Sequence, residues 1–247
     1  MANRTFLELY NFAARWAGDT TDFGVSRAKD AVDEANRLLS YGKDLTFKPW
    51  WRKREDTITP SAGSQTYAFP TAQGTLESLH QVWYRNGGQR QEIEIVDDKR
   101  WAEEANEDTT QRGTPDICNI HKSSGTDNIR FSLTPSGSFI SAITGGVIRL
   151  DFFILETLNA ESGDSVEPLM PDSRRYGIAW CAVAALAGAQ GDSDLIRYAE
   201  SKAKQYMDLI RSDDILRTGS NNRTARPIEP MGLRGRGRTT DYGHVRR

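Results

Sequence analysis

Histidine and cysteine are scarce in this chain, with three of the first and two of the second among 247 residues. The shortage excludes much of the chemistry those side chains carry. Cys118 and Cys181 are too few for a disulfide framework and read as reduced, semi-buried thiols of a cytosolic setting. Cys118 and His121 form a lone C-x-x-H with no second pair nearby, so no metal site is expected. His244 lies near the end of the chain, while His80 and His121 alternate within strand-like runs and read as ordinary strand histidines. None is set up as the base of a nucleophilic triad. The chain also lacks a G-x-S-x-G elbow and a phosphate loop ending in Lys-Ser or Lys-Thr. Gly232, Gly235 and Gly237 have neither a preceding strand nor a following helix, so they do not form a phosphate cradle. The acid pairs Asp97-Asp98 and Glu103-Glu104 sit in polar stretches and read as solvated surface rather than as the two carboxylates of a glycosidase. The expectation is a protein that is not an enzyme and uses no cofactor.

Long apolar runs are missing too. None approaches the roughly 20 residues a membrane span requires, and the opening residues lack the basic-then-apolar pattern of a secretory signal. What the chain does have is ordinary soluble material: 37% hydrophobic and 27% charged residues, enough for one large domain or two modest ones.

The charge is unevenly placed. From Arg217 to Arg247 there are eight arginines, no lysine and two acids, Glu229 and Asp241, a charge of +6. The rest of the chain holds 24 basic and 32 acidic residues, a charge of −8. Such a tail buries too little apolar surface to fold alone, and its order must come from a partner.

Periodicity divides the remainder. Phe6, Leu9, Tyr10, Ala13 and Trp16 recur at helical spacing, and Ala28, Val32, Ala35, Leu38 and Leu39 define a second helix capped by Asp22 or Ser26 and ended by Gly42. Beyond Trp50-Trp51 the pattern turns to strands. Leu79–Arg85 runs into Asn86-Gly87, a hairpin signal, and alternating Gln91–Val96 follows. A short helix is expected over Trp101–Asn106, and strands over Pro115–His121, Asn128–Leu133 and Val147–Leu155, the last apolar enough for a central strand. Pro171-Asp172 opens an alanine-rich helix that is apolar nearly all round and stops at Gly191-Asp192; an amphipathic helix follows over Asp194–Arg211. The predicted fold is α+β. A helical bundle forms from residues 1–53 and 159–216, an inserted antiparallel β domain covers 54–158, and an extended C-terminal arm covers 217–247.

Trp50 and Trp51 beside Arg52, Lys53 and Arg54 either stack on nucleic acid or anchor the junction of helical body and β domain with the cations in water; the second reading is favoured. For the arm three readings stand: a plain disordered appendage, an arginine-glycine segment that grips phosphates without sequence preference, or a peptide that docks into a protein. Docking is favoured, because Pro227, Ile228, Pro230, Met231, Leu233, Tyr242 and Val245 are superfluous in a pure polyelectrolyte. Arginine without lysine also suits bidentate pairing with carboxylates.

The layout resembles the head-to-tail adaptor, or connector, proteins of tailed bacteriophages over most of the chain. The carrying residues are the helix ending near Leu39, then Trp50 or Trp51, then Gly63-Ser-Gln-Thr-Tyr67-Ala-Phe-Pro70, Gly113-Thr-Pro115 and Ile129–Pro135. Val147–Phe153, Pro168-Leu-Met-Pro171 and the alanine-rich helix ending at Gly191-Asp192, with Tyr206 beyond it, complete the succession. The resemblance implies a homo-oligomeric ring, usually of twelve copies, in the virion neck below the portal and lining a DNA channel, made in the host cytoplasm. Its partners would be the portal protein, a tail or nozzle protein, and genomic DNA passing without specificity, with no membrane. The docking arm would use Arg217, Arg223, Arg226, Pro227, Ile228, Met231, Leu233, Arg234, Arg236, Arg238, Tyr242, Arg246 and Arg247. The alternatives are a nucleic-acid-binding module built on the tail and the Trp-Trp-Arg-Lys-Arg patch, and a virion-associated cell-wall hydrolase with no residue to nominate.

Overall fold

A computed structural model describes residues 4–42, 48–105, 110–123, 125–156 and 164–218. The protein is mixed α+β, with six α-helices and a seven-stranded sheet among the described residues. It divides into two compact units, one drawn from Met1–Trp51 and Glu156–Arg247, the other from Arg52–Leu155.

In the first unit, helix α1 (Phe6–Trp16) starts in a capping box of Thr5 and Glu8, and α2 (Asp22–Tyr41) is capped by Thr21, whose hydroxyl accepts from the Gly24 N–H at 3.2 Å. The cap is neither Asp22 nor Ser26, because Thr21 is the last residue still in extended backbone. The alanine-rich helix, Tyr176–Gln190, follows a 3-10 turn at Asp172–Arg174. Its apolar residues point in every direction, so it must be surrounded. Numbered after the two short helices of the β unit, it is α5, and it packs against α1, α2 and the closing helix α6 (Ser193–Thr218). Gly177 makes the α5–α6 approach possible: a Cβ there would stand 2.9 Å from Cβ of Tyr206. The core includes Phe6, Leu9, Ala28, Val32, Ile178, Val183, Ala203 and Met207, all but excluded from solvent.

The start of α1 is stitched to the segment before α5. The Phe6 and Leu7 N–H groups donate to Val166 and Asp164 carbonyls at 3.0 Å, which satisfies donors a helix start leaves open. The Arg4 N–H donates to Asp172 Oδ1 at 2.9 Å, and the buried Arg175 donates to the Arg4 carbonyl and the Glu167 carboxylate. Buried Glu156 accepts from Ser40 Oγ at 2.9 Å and from the Leu169 N–H at 2.8 Å, tying the end of α2 to the chain re-entering the unit.

In the second unit the strands are β1 (Lys53–Ile58), β2 (Thr66–Ala68), β3 (Leu76–Asn86), β4 (Gln89–Ile95), β6 (Ile117–Ser123), β7 (Thr126–Phe131) and β9 (Ile148–Ile154), in the order β1-β9-β3-β4-β6-β7-β2. Two-residue strands β5 (Arg112–Gly113) and β8 (Thr134–Pro135) pair separately, and α4 is Gly137–Ala142. Strand β9 lies between β1 and β3, which explains its nearly continuous apolar sequence. The hairpin loop is Gly87-Gly88 rather than Asn86-Gly87: Asn86 pairs with Gln89, and both glycines take positive φ, +56° and +85°. A two-residue turn of this kind needs left-handed backbone at both positions, which two glycines supply more readily than Asn-Gly.

The sheet is not purely antiparallel as expected. Strands β4 and β6 run parallel, Glu94 opposite Ile117 and Ile95 opposite Cys118. A parallel neighbour needs a crossover. Helix α3 (Asp98–Glu104) lies on that connection, with Trp101 buried against Val96 and Ile117.

A paired substitution tests the α5–α6 contact. Gly177→Leu forces the helices apart and lowers stability by about 1–3 kcal/mol. Gly188→Ala, on the same helix with open space around it, raises stability by about 0.5–1 kcal/mol. Urea unfolding followed by tryptophan fluorescence reads both.

Candidate interaction surfaces

Most of the arm nominated from the sequence, Arg223 through Arg247, lies outside the described residues. Arg217 falls in the last turn of α6, so the helix continues past the expected arm boundary.

The Trp-Trp-Arg-Lys-Arg run does not form a solvated cationic patch. Trp51 is buried in the core of the helical unit. Arg52 is fully buried in the β unit, where it pairs with Glu77 and its Nε donates to the Ile154 carbonyl at 3.0 Å. Lys53 Nζ bonds Asp151 Oδ2 at 2.8 Å. The expectation that these cations stand in water fails for Arg52 because Glu77, 25 residues further on, arrives from β3 to neutralise it.

The histidines lie on strands, His80 on β3 against Phe153 and His121 on β6. Burial pushes the Cys118 thiol up to about 12, so it stays protonated and unreactive at neutral pH. No cluster of three or more potential metal ligands occurs among the described residues. The buried carboxylates Asp151 and Glu156 are both committed to partners within their own units. No helix among the described residues is long and apolar enough to cross a membrane.

Two surfaces stand out instead. On the β unit, half-buried Trp83 faces Arg149 in register across β9 and is ringed by three guanidinium groups, those of Arg90 at 4.4 Å, Arg149 at 5.3 Å and Arg85 at 5.9 Å from the ring centre. Its Nε1 leans toward Asp151 Oδ1 at 3.4 Å. The Trp83 cluster was detectable in principle, because an Asn-Gly-Gly turn sets Arg85 opposite Arg90 once the register is counted.

On the helical unit, an open groove of about 710 Å³ runs along α1, lined by Arg4, Glu8, Phe12, Arg15, Trp16 and Tyr176, among others. Its aromatics form a continuous set. Phe12 lies 5.0 Å from Tyr176 and 5.1 Å from Trp180, and Trp16 lies 4.9 Å from Trp180 and 5.6 Å from Tyr198. Arg4 sits 4.2 Å over the Tyr176 ring. Trp16 and Tyr198 are 42% and 44% exposed, so the set is open to a partner. The α1 periodicity indicated the buried face but not this one, which needs α5 and α6 beside it. Elsewhere in the helical unit, Lys29 and then Tyr10 hydrogen-bond the Asp164 carboxylate and hold it below the usual carboxylate range.

Residues 4–229 match the family described as SU10 adaptor protein. The chain belongs to that family of phage adaptor proteins. No curated protein matches the chain. As an adaptor, this is a structural component of a phage virion, and its business is contact with other virion proteins.

The buried arginine gives a direct test. Arg52→Met leaves Glu77 without its partner and costs about 3–5 kcal/mol, whereas the double change Arg52→Met with Glu77→Met recovers most of that loss. A double-mutant cycle from chemical denaturation measures it.

Proposed function

We propose that this protein is a head-to-tail adaptor: a helical body with an inserted β domain that assembles as a ring, of twelve copies, below the portal and lines the DNA channel. The observation that carries the reading is the adaptor-family match over residues 4–229, and the charge split supports it. A body of charge −8 repels DNA phosphates, which suits a channel through which DNA slides without sticking. The +6 arm, residues 217–247, docks by its arginines and by Ile228, Met231, Leu233 and Tyr242 into an acidic groove on the portal.

The arm orders on docking, so each arm contributes only modest affinity. Repetition around the ring turns that into a stable joint. The two buried members of the Trp-Trp-Arg-Lys-Arg run count against the nucleic-acid-module alternative, since Trp51 and Arg52 are not available to bases or phosphates.

Deleting residues 219–247 leaves a folded subunit that no longer adds a layer to purified portal rings in negative-stain images, while the intact chain does. A truncated subunit that decorates portal normally sinks the docking-arm reading. Absence of a layer with either version sinks the portal pairing itself.

A further inference from the structure

We infer that the aromatic groove on α1 receives Phe23 from a second copy of this chain, and that this is the subunit contact of the ring; the assignment rests on the ring reading above. Phe23, the second residue of α2, is 71% exposed, more than any other large apolar side chain described. It does not line the groove of its own chain. The protein thus carries a projecting aromatic knob and, at a different place, an aromatic-floored groove. A knob and a hole at different places on one chain make a head-to-tail contact, which closes into a ring when the rotation permits.

Charge matches the knob to the groove. Arg15 on the groove's rim and Asp22 beside Phe23 have no ion partner among the described residues, and bringing them together pairs both. Asp19, at the base of the knob, accepts from Thr21 and remains an exposed anion, its carboxyl held below the usual range by those hydrogen bonds. Arg27 sits over the Phe23 ring at 5.9 Å, and Glu8 on the groove offers it an acid. The same charges argue against the arm as occupant. Arg4 and Arg15 would face the seven arginines that follow α6.

The energetic logic is that of an interface anchor: an aromatic side chain seated among aromatics, with a charged rim excluding water. Phe23→Asp therefore weakens self-association by roughly ten- to thirtyfold. Arg15→Asp or Asp22→Arg alone weakens it as well, and the two combined restore it.

The test uses the full chain with a photo-crosslinking benzoylphenylalanine at position 23, in a mixture of isotopically light and heavy protein. It is run both alone at high concentration and on portal rings. Circular dichroism checks that each variant is folded. Light–heavy cross-links to α1 or Tyr176 are expected. Cross-links from position 23 to portal protein, cross-links confined to one chain, or none in either setting overturn the inference. The two readings fail separately: groove cross-links without portal decoration preserve this contact and sink the portal pairing, and portal decoration without groove cross-links does the reverse.

Discussion

The helical unit depends on the burial of α5. Nine of the fifteen residues of α5 are buried, Gly177, Ile178, Trp180, Val183 and Leu186 among them, and exposure is confined to its last turn. Such a helix must be enclosed, and the enclosing helices come from both sides of the sequence: α1 and α2 before the β unit, α6 after it. The rest follows from that requirement. The chain must leave after Trp51 and return at Glu156, and the return is secured by polar bonds from α2 to Glu156 and from Glu156 to Leu169. These bonds matter because a carboxylate buried without partners would be far more costly than one left in water.

The groove is a by-product of the same enclosure. With α2 packed on α1 and α5, and α6 packed on α5, the gap between α1 and α6 is filled by rings rather than by a further helix. Aromatics are suited to such a gap, since they exclude water over a large area while keeping an edge available for contact. An adaptor, which acts through contact with other virion proteins, has use for a surface of this kind. Of the groove's charged residues, Arg4 pairs with Asp172 and Glu8 caps the start of α1.

In the β unit, the buried Arg52–Glu77 pair and the crossover through α3 show how long-range partners override local appearance. Arg52 reads as surface in a run of three cations, yet it is the largest fully buried side chain among the described residues. Burying it is tolerable because a carboxylate and a carbonyl meet it there. Trp83 shows the opposite case, a residue that looks like core but stands half-exposed among three guanidinium groups.

The sequence by itself determined the alternation of helical and strand segments, the ends of α2 and α5 at Gly42 and Gly191, the hairpin to within one residue, and the family. These depend on side-chain periodicity and on glycine at left-handed positions, both of which are local. Cap identity shifted by one residue to Thr21 because capping depends on where the backbone leaves extended geometry, which Asp22 and Ser26 do not reveal. Only the tertiary structure decided that β6 runs parallel to β4, that Arg52 is buried and Phe23 is not, and that Phe12, Trp16, Tyr176, Trp180 and Tyr198 share one surface. Each of those facts joins residues from about twenty to nearly two hundred positions apart, or depends on which neighbours a side chain finds there. Periodicity along a chain records which way a side chain points, and has no means of recording what it meets.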